Sequence, residues 1–115
     1  MIYQMKVYNI TILGKVKAKE RPRRGRGGHF YTPSATQAYE LSVHNSAAQA
    51  GLIPLTDDTL NIGICFYGQY GRSDIDNLCK SVLDGFKYFF NDNRITFLVA
   101  KKIPSKDYLT KVKIW

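Results

Sequence analysis

A chain of 115 residues, 44% hydrophobic and 13% aromatic, suffices for one two-layer core and leaves little room for a second domain. Its 17 Lys and Arg against 9 Asp and Glu leave a formal charge of +8, which suits a phosphate backbone or an anionic membrane surface. No apolar run approaches the roughly 18 residues of a membrane span, and the first residues lack a secretory pattern, so a cytoplasmic protein is expected. The densest basic run lies among glycines instead of on an amphipathic helix, which leaves nucleic acid as the expected partner and no membrane.

Ile2–Leu13, rich in β-branched and aromatic residues, reads as the first strand. The segment 15–30, KVKAKERPRRGRGGHF, breaks every period and reads as a basic flexible arm or hairpin-like loop. Its Lys19, Arg21, Arg23, Arg24 and Arg26 are candidate phosphate contacts. Thr32-Pro33 is a helix start, Tyr39, Val43, Ala47 and Ala50 recur at helical spacing, and Gly51 is the stop. Leu60, Ile62, Ile64 and Phe66 then alternate with Asn61, Gly63, Cys65 and Tyr67, a strand with one buried face. Cys65 and Cys79 belong to no Cys-x-x-Cys pair and no zinc spacing surrounds His29 or His44, so buried structural thiols are expected.

After the loop Tyr67–Arg72, a second helix begins at Ser73 with Ile75, Leu78, Cys79, Val82, Phe86 and Phe89 on its apolar side. Asn91–Asn93 is a turn, and Ile95–Lys101 and Leu109–Trp115 close the chain as a hairpin around Pro104–Asp107. The order strand-helix-strand-helix-strand-strand predicts an α+β fold in two layers, a four-stranded mixed sheet with both helices on one face. The whole of residues 1–115 forms a single domain in this reading.

Few carboxylates are available, and several gather around the second helix. Ser73-x-x-Asp76 fits a capping box, and acids are favoured at a helix N-terminus by its dipole. Capping does not account for the rest of the pattern. Asp76, Lys80 and Asp84 follow at i, i+4, i+8 on the polar stripe, Asp92 lies just beyond, and the basic arm and Lys101-Lys102 surround them. Phosphodiester cleavage needs a nucleophilic water, charge neutralisation on phosphorus and a stabilised leaving oxygen. Carboxylate-held Mg²⁺ with a nearby lysine supplies these.

These residues resemble a known family. Gly71–Lys80, GRSDIDNLCK, with Asp84 and then Asn91-Asp92-Asn93-Arg94-Ile95, is similar to the core motif of RusA-type Holliday junction resolvases. Lys19-Glu20-Arg21-Pro22-Arg23, Tyr31–Thr36 and Tyr39-Glu40 resemble that family's basic segment and first helix, extending the similarity over about residues 10–102. The resemblance implies a homodimeric, bacterial or phage-encoded endodeoxyribonuclease that nicks four-way junction DNA symmetrically with one or two Mg²⁺ ions per site, Mn²⁺ substituting. By position it makes Asp74, Asp76 and Asp92 metal carboxylates and Lys80 the catalytic lysine, supported by Asn77, Asp84 and Asn91. Relatives often carry a second acid where Asn91 stands, so the turn here offers less charge. The alternative reading is a non-catalytic, branched-DNA-binding recombination accessory protein. A continuous helix from Asp74 to Phe90 would be about 24 Å long and would keep Asp92 from its partners in one chain unless it breaks, with Gly85 as the candidate break. Two-fold packing of second helices through Phe86, Phe89 and Phe90, with Asp92 completing the site of the other subunit, is the expected solution. Tyr67 and Tyr70, like Phe30 and Tyr31, read as core or rim residues, with junction splaying by Tyr70 or Phe90 left open.

Overall fold

Two sequence periods decide the layers. Ile10 and Ile12, then Leu60, Ile62, Ile64 and Phe66, then Thr110, Val112 and Ile114 alternate with more exposed residues, and all of them are buried under the helices. The computed structural model describes residues 6–17, 23–24, 30–31 and 34–115. Its elements are β1 (Tyr8–Leu13), β2 (Arg23–Arg24), β3 (Phe30–Tyr31), α1 (Ser34–Gln49), β4 (Leu60–Tyr67), α2 (Ile75–Gly85), β5 (Ile95–Ile103) and β6 (Leu109–Ile114). The α+β class and the mixed four-stranded sheet are as expected. None of the helices is long and apolar enough to cross a membrane, among the described residues.

The arm contributes a two-residue antiparallel ladder, Arg23 opposite Tyr31 and Arg24 opposite Phe30. Residues 2–5, the Thr32-Pro33 helix start, Lys19, Arg21 and Arg26 lie outside the described residues. Helix α1 buries Thr36, Tyr39, Val43 and Ala47, while Ala50 falls past its end and is exposed. Gly51, at φ +85°, closes it with a Schellman pair: Leu52 N–H reaches the Ala47 carbonyl and Gly51 N–H that of Ala48, both at 3.0 Å.

The sheet order β1-β6-β4-β5 corrects the expected C-terminal hairpin. Strand β6 pairs antiparallel with both β1 and β4, and β5 pairs parallel with β4. Burial follows position: β6, inside the sheet, buries Thr110, Val112 and Ile114, whereas β5, at the edge, has no fully buried residue. Parallel neighbours also require a crossover, and α2 supplies it.

The second helix is shorter than expected at both ends. It begins at Ile75 and stops at Gly85, where the chain turns through Phe86–Phe89. A Cβ on Gly85 would overlap the Val43 side chain and come within 3.1 Å of the Glu40 carbonyl, so glycine sets the close approach of α1 and α2. Phe86, Phe89 and Phe90, expected at a dimer contact, are instead core residues, with Phe86 fully buried and stacked on Phe90. The turn after Gly85 rotates them beneath the helices.

Candidate metal and DNA site

The loop 68–73 leaves the C-terminal end of β4 and hands the chain to α2. Four tethers fix it. Gly68 N–H donates to the Ile103 carbonyl (3.0 Å), and Tyr108 Oη donates to the Gln69 carbonyl (3.1 Å). Tyr70, buried against Phe66, accepts the Val16 N–H at its hydroxyl (2.9 Å). Lys102 Nζ donates to two carbonyls, Gly71 at 3.0 Å and Ser73 at 2.8 Å. Tyr70 is therefore a core anchor and does not project as a wedge. Phe90 is equally buried.

These tethers deliver Asp74 as the N-cap of α2, with its Oδ1 accepting the Asp76 N–H at 3.0 Å. The anticipated Ser73–Asp76 box is displaced because the helix starts two residues later than Ser73. Asp74, Asp76, Asn77 and Lys80 are exposed together at this end, and Asp84, one turn past Lys80, is half-buried. Asp76 and Lys80 stand one turn apart on a single stripe. The free N–H groups of the first turn add partial positive charge, which favours a phosphate beside the carboxylates.

Strand β5 carries the other candidates. Lys102 is engaged by the loop backbone, so its role here is to hold the residue before Asp74, and Lys101 is exposed on the opposite face of the strand. At the far end, Asp92 opens a 3-10 turn, Asp92–Arg94. Asn91 caps that turn, its Oδ1 accepting the Asn93 N–H at 3.2 Å, and Arg94 donates to the Asp57 carbonyl at 3.3 Å. The Asn91 carbonyl oxygen thus orients the turn that presents Asp92.

Register separates the two acidic groups. Leu60 lies opposite Ile95 and Tyr67 opposite Ile103, so Asp92 precedes one end of the strand pair and Asp74 follows the other. The strand between them spans about 26 Å at roughly 3.3 Å per residue. Among the described residues, no group of three His, Cys, Asp or Glu could hold a metal ion. The break at Gly85 shortens the helix without uniting the three aspartates in one chain.

Below the acids, Cys79 is buried, and its thiol is pushed up to about 11 by burial and, secondarily, by the Asp76 carboxylate. Cys65 is only partly buried, on the sheet face away from the helices, which departs from the expected pair of core thiols. The raised Cys79 value has a definite sign. The neutral thiol stabilises the fold below the unfolded value near 8.5, and that contribution is lost as pH climbs through about 11. Iodoacetamide at pH 8 should therefore label Cys65 well before Cys79, read by peptide mass spectrometry; equal rates would contradict the packing described.

The loop tethers by Tyr70, Tyr108 and Lys102 were not found by sequence reasoning, because hydrogen bonds to main-chain carbonyls leave no spacing signature. The chain matches the family model of endodeoxyribonuclease RusA over residues 14–115. No curated protein matches the chain.

Proposed function

This chain belongs to the RusA endodeoxyribonuclease family, and from that premise we propose that it resolves four-way DNA junctions by paired, symmetric, Mg²⁺-dependent nicks. The observation that carries this reading is the exposed Asp74, Asp76 and Lys80 constellation at a helix start braced by Lys102. Endonuclease activity on crossover junctions follows from the family. The residue roles are our own assignment.

The donor set suits a hard cation: Asp74 and Asp76 offer carboxylate oxygens from one chain, and Asp92 offers a third from another. Mg²⁺ would supply charge neutralisation at the phosphoryl oxygens and lower the pKa of attacking water. Asp74 retains a carboxylate oxygen beyond the one engaged in capping. Lys80 holds a fixed positive charge against the negative charge that develops as the bond from phosphorus to the 3′ oxygen breaks. Products would carry 5′-phosphate and 3′-hydroxyl ends, and the basic arm would follow the phosphate backbone.

Two copies complete the site. The exposed edge of β5, with Asp92 ahead of its start and Lys102 near its end, supports antiparallel pairing of two β5 edges. Under that two-fold operation, Asp92 of the partner subunit meets Asp74 and Asp76, and the operation repeats at the second site. This route replaces helix packing, since the phenylalanines meant for that contact are core residues.

The test is an end-labelled synthetic four-way junction, compared with linear duplex, in Mg²⁺ and in EDTA. Paired symmetric nicks that EDTA abolishes support the reading, whereas tight binding without cutting would favour the accessory protein. Mixing Asp76→Asn with Asp92→Asn chains addresses the composite site. Half of randomly exchanged dimers are mixed and each regains one of two sites, so nicking should return to about a quarter of wild type, as single unpaired cuts. No recovery despite proven subunit exchange would overturn the shared site.

A further inference from the structure

Among the described residues, nothing packs on the face of the sheet turned away from the helices, and its composition is one-sided. By register, Thr11, Lys111, Cys65 and Lys101 form one row across it, and Asn9, Lys113, Gly63 and Val99 the next. None of the nine carboxylates falls within β1, β4, β5 or β6, so Lys101, Lys111 and Lys113 lie there unopposed by any acid of the sheet. Aromatic rings flank them. Trp115 lies over Gly63, where a Cβ would come 3.5 Å from the indole, and Phe97 meets Trp115 edge-on at 6.1 Å. Lys113 Nζ stands 5.7 Å from the centre of the Trp115 ring, and Lys111 Nζ 5.6 Å from that of Tyr67. Phe97 is 51% exposed. Lys101, Lys111, Lys113 and Trp115 line a shallow depression of about 610 Å³.

We propose that this open sheet face binds single-stranded DNA, at a site separate from the carboxylates that cut. The inference rests on the DNA-nuclease reading above and adds a second contact to it. Charge selects the occupant: a second copy docked face to face would set lysines against lysines, whereas a polyanion neutralises all three. The exposed Phe97 ring and the partly exposed Trp115 and Tyr67 rings beside the lysines then favour single strands over duplex, because an unpaired base offers its π-face and a stacked one does not. Residues Lys111 and Lys113, two apart on one strand, point the same way about 7 Å apart and can follow a backbone past the rings. Unpaired nucleotides at an opened branch point are the natural source of such a strand. Edge pairing through β5 leaves the face open, since it uses the strand's hydrogen-bonding side.

Trp115 is the sole tryptophan, so intrinsic fluorescence reports on this face directly. The experiment titrates the full chain with a twenty-nucleotide oligothymidylate, and in parallel with a duplex of equal length, at several salt concentrations. Saturable quenching by the single strand is expected, with the triple variant Lys101→Gln, Lys111→Gln, Lys113→Gln losing about 2 from the log–log salt slope (roughly 0.7 per lysine). Phe97→Ala should weaken oligothymidylate binding about fivefold or more. All four positions are exposed, so the variants should keep the wild-type thermal transition. Quenching that is unchanged in the triple variant, or caused only by duplex, would overturn the proposal. So would a change in oligomeric state caused by Phe97→Ala. Wild-type junction nicking, measured alongside, separates the two levels. A protein that nicks junctions but shows no quenching refutes this face alone, while one that neither binds nor cuts any DNA refutes the nuclease reading beneath it.

Discussion

Asp76→Asn should lower junction nicking by about a thousandfold, corresponding to several kcal/mol of lost metal-dependent charge stabilisation, without moving the thermal transition. Asp76 is exposed, the cap is the Asp74 carboxylate and not its own, and asparagine nearly conserves its volume. The neighbouring Asp74 sharpens the comparison, because it has two candidate roles. As N-cap it should tolerate asparagine, which caps about as well, and lose about 1 kcal/mol of stability on replacement by alanine. As a metal carboxylate it should tolerate neither. Asp74→Asn is thus expected to be stable and inactive, and Asp74→Ala inactive with a slightly lowered transition. Retained nicking in a well-folded Asp74→Asn protein would assign that residue to capping alone. Junction affinity in Ca²⁺, measured on the same proteins, distinguishes lost chemistry from lost binding.

The largest effect on stability is expected at Gly85. Valine there would force its Cβ into Val43 and its methyl groups into the α1–α2 contact, costing about 3 kcal/mol or more by overpacking. Such a loss is a large share of the roughly 5–15 kcal/mol that holds a domain of this size. Urea denaturation of Gly85→Val against wild type measures it directly. Gly85→Ala should cost less, and combining it with Val43→Gly, which removes the Val43 Cβ that the new methyl would overlap, should give a loss smaller than the sum of the two single losses. Additive losses in that double variant would show that the clash is not what glycine avoids.

Much of the fold was legible in the sequence because burial writes itself at fixed periods. The alternation from Leu60 to Phe66 and the spacing of Tyr39, Val43 and Ala47 each identified a buried face directly. Strand order was not legible, since neither β5 nor β6 encodes in its own residues which neighbour it will take. The short loop around Pro104–Asp107 suggested a hairpin, yet β6 found its partners in β1 and β4. The end of α2 was missed for a related reason. Phe86 and Phe89 continue the apolar period of the helix, and only the Val43 contact, remote in sequence, reveals why the backbone turns at Gly85. At the candidate site, residue types could be read while their separation could not, because the register of β4 on β5 determines how far Asp92 lies from Asp74.

Strand β5 also bears on how the protein survives after synthesis. Ile95–Ala100 is a run of six uncharged residues on a sheet edge, with Phe97, Leu98 and Val99 each more than two-fifths exposed, and its charged guards are Arg94 on one side and Lys101 and Lys102 on the other. An unsatisfied edge of that character is a template for open-ended strand addition. A two-fold pairing consumes both β5 edges at once, so no third chain can add to that strand. The same closure that would gather the three aspartates would therefore act as a terminator of aggregation, and a chain that failed to find its twin would be both inert and prone to precipitate.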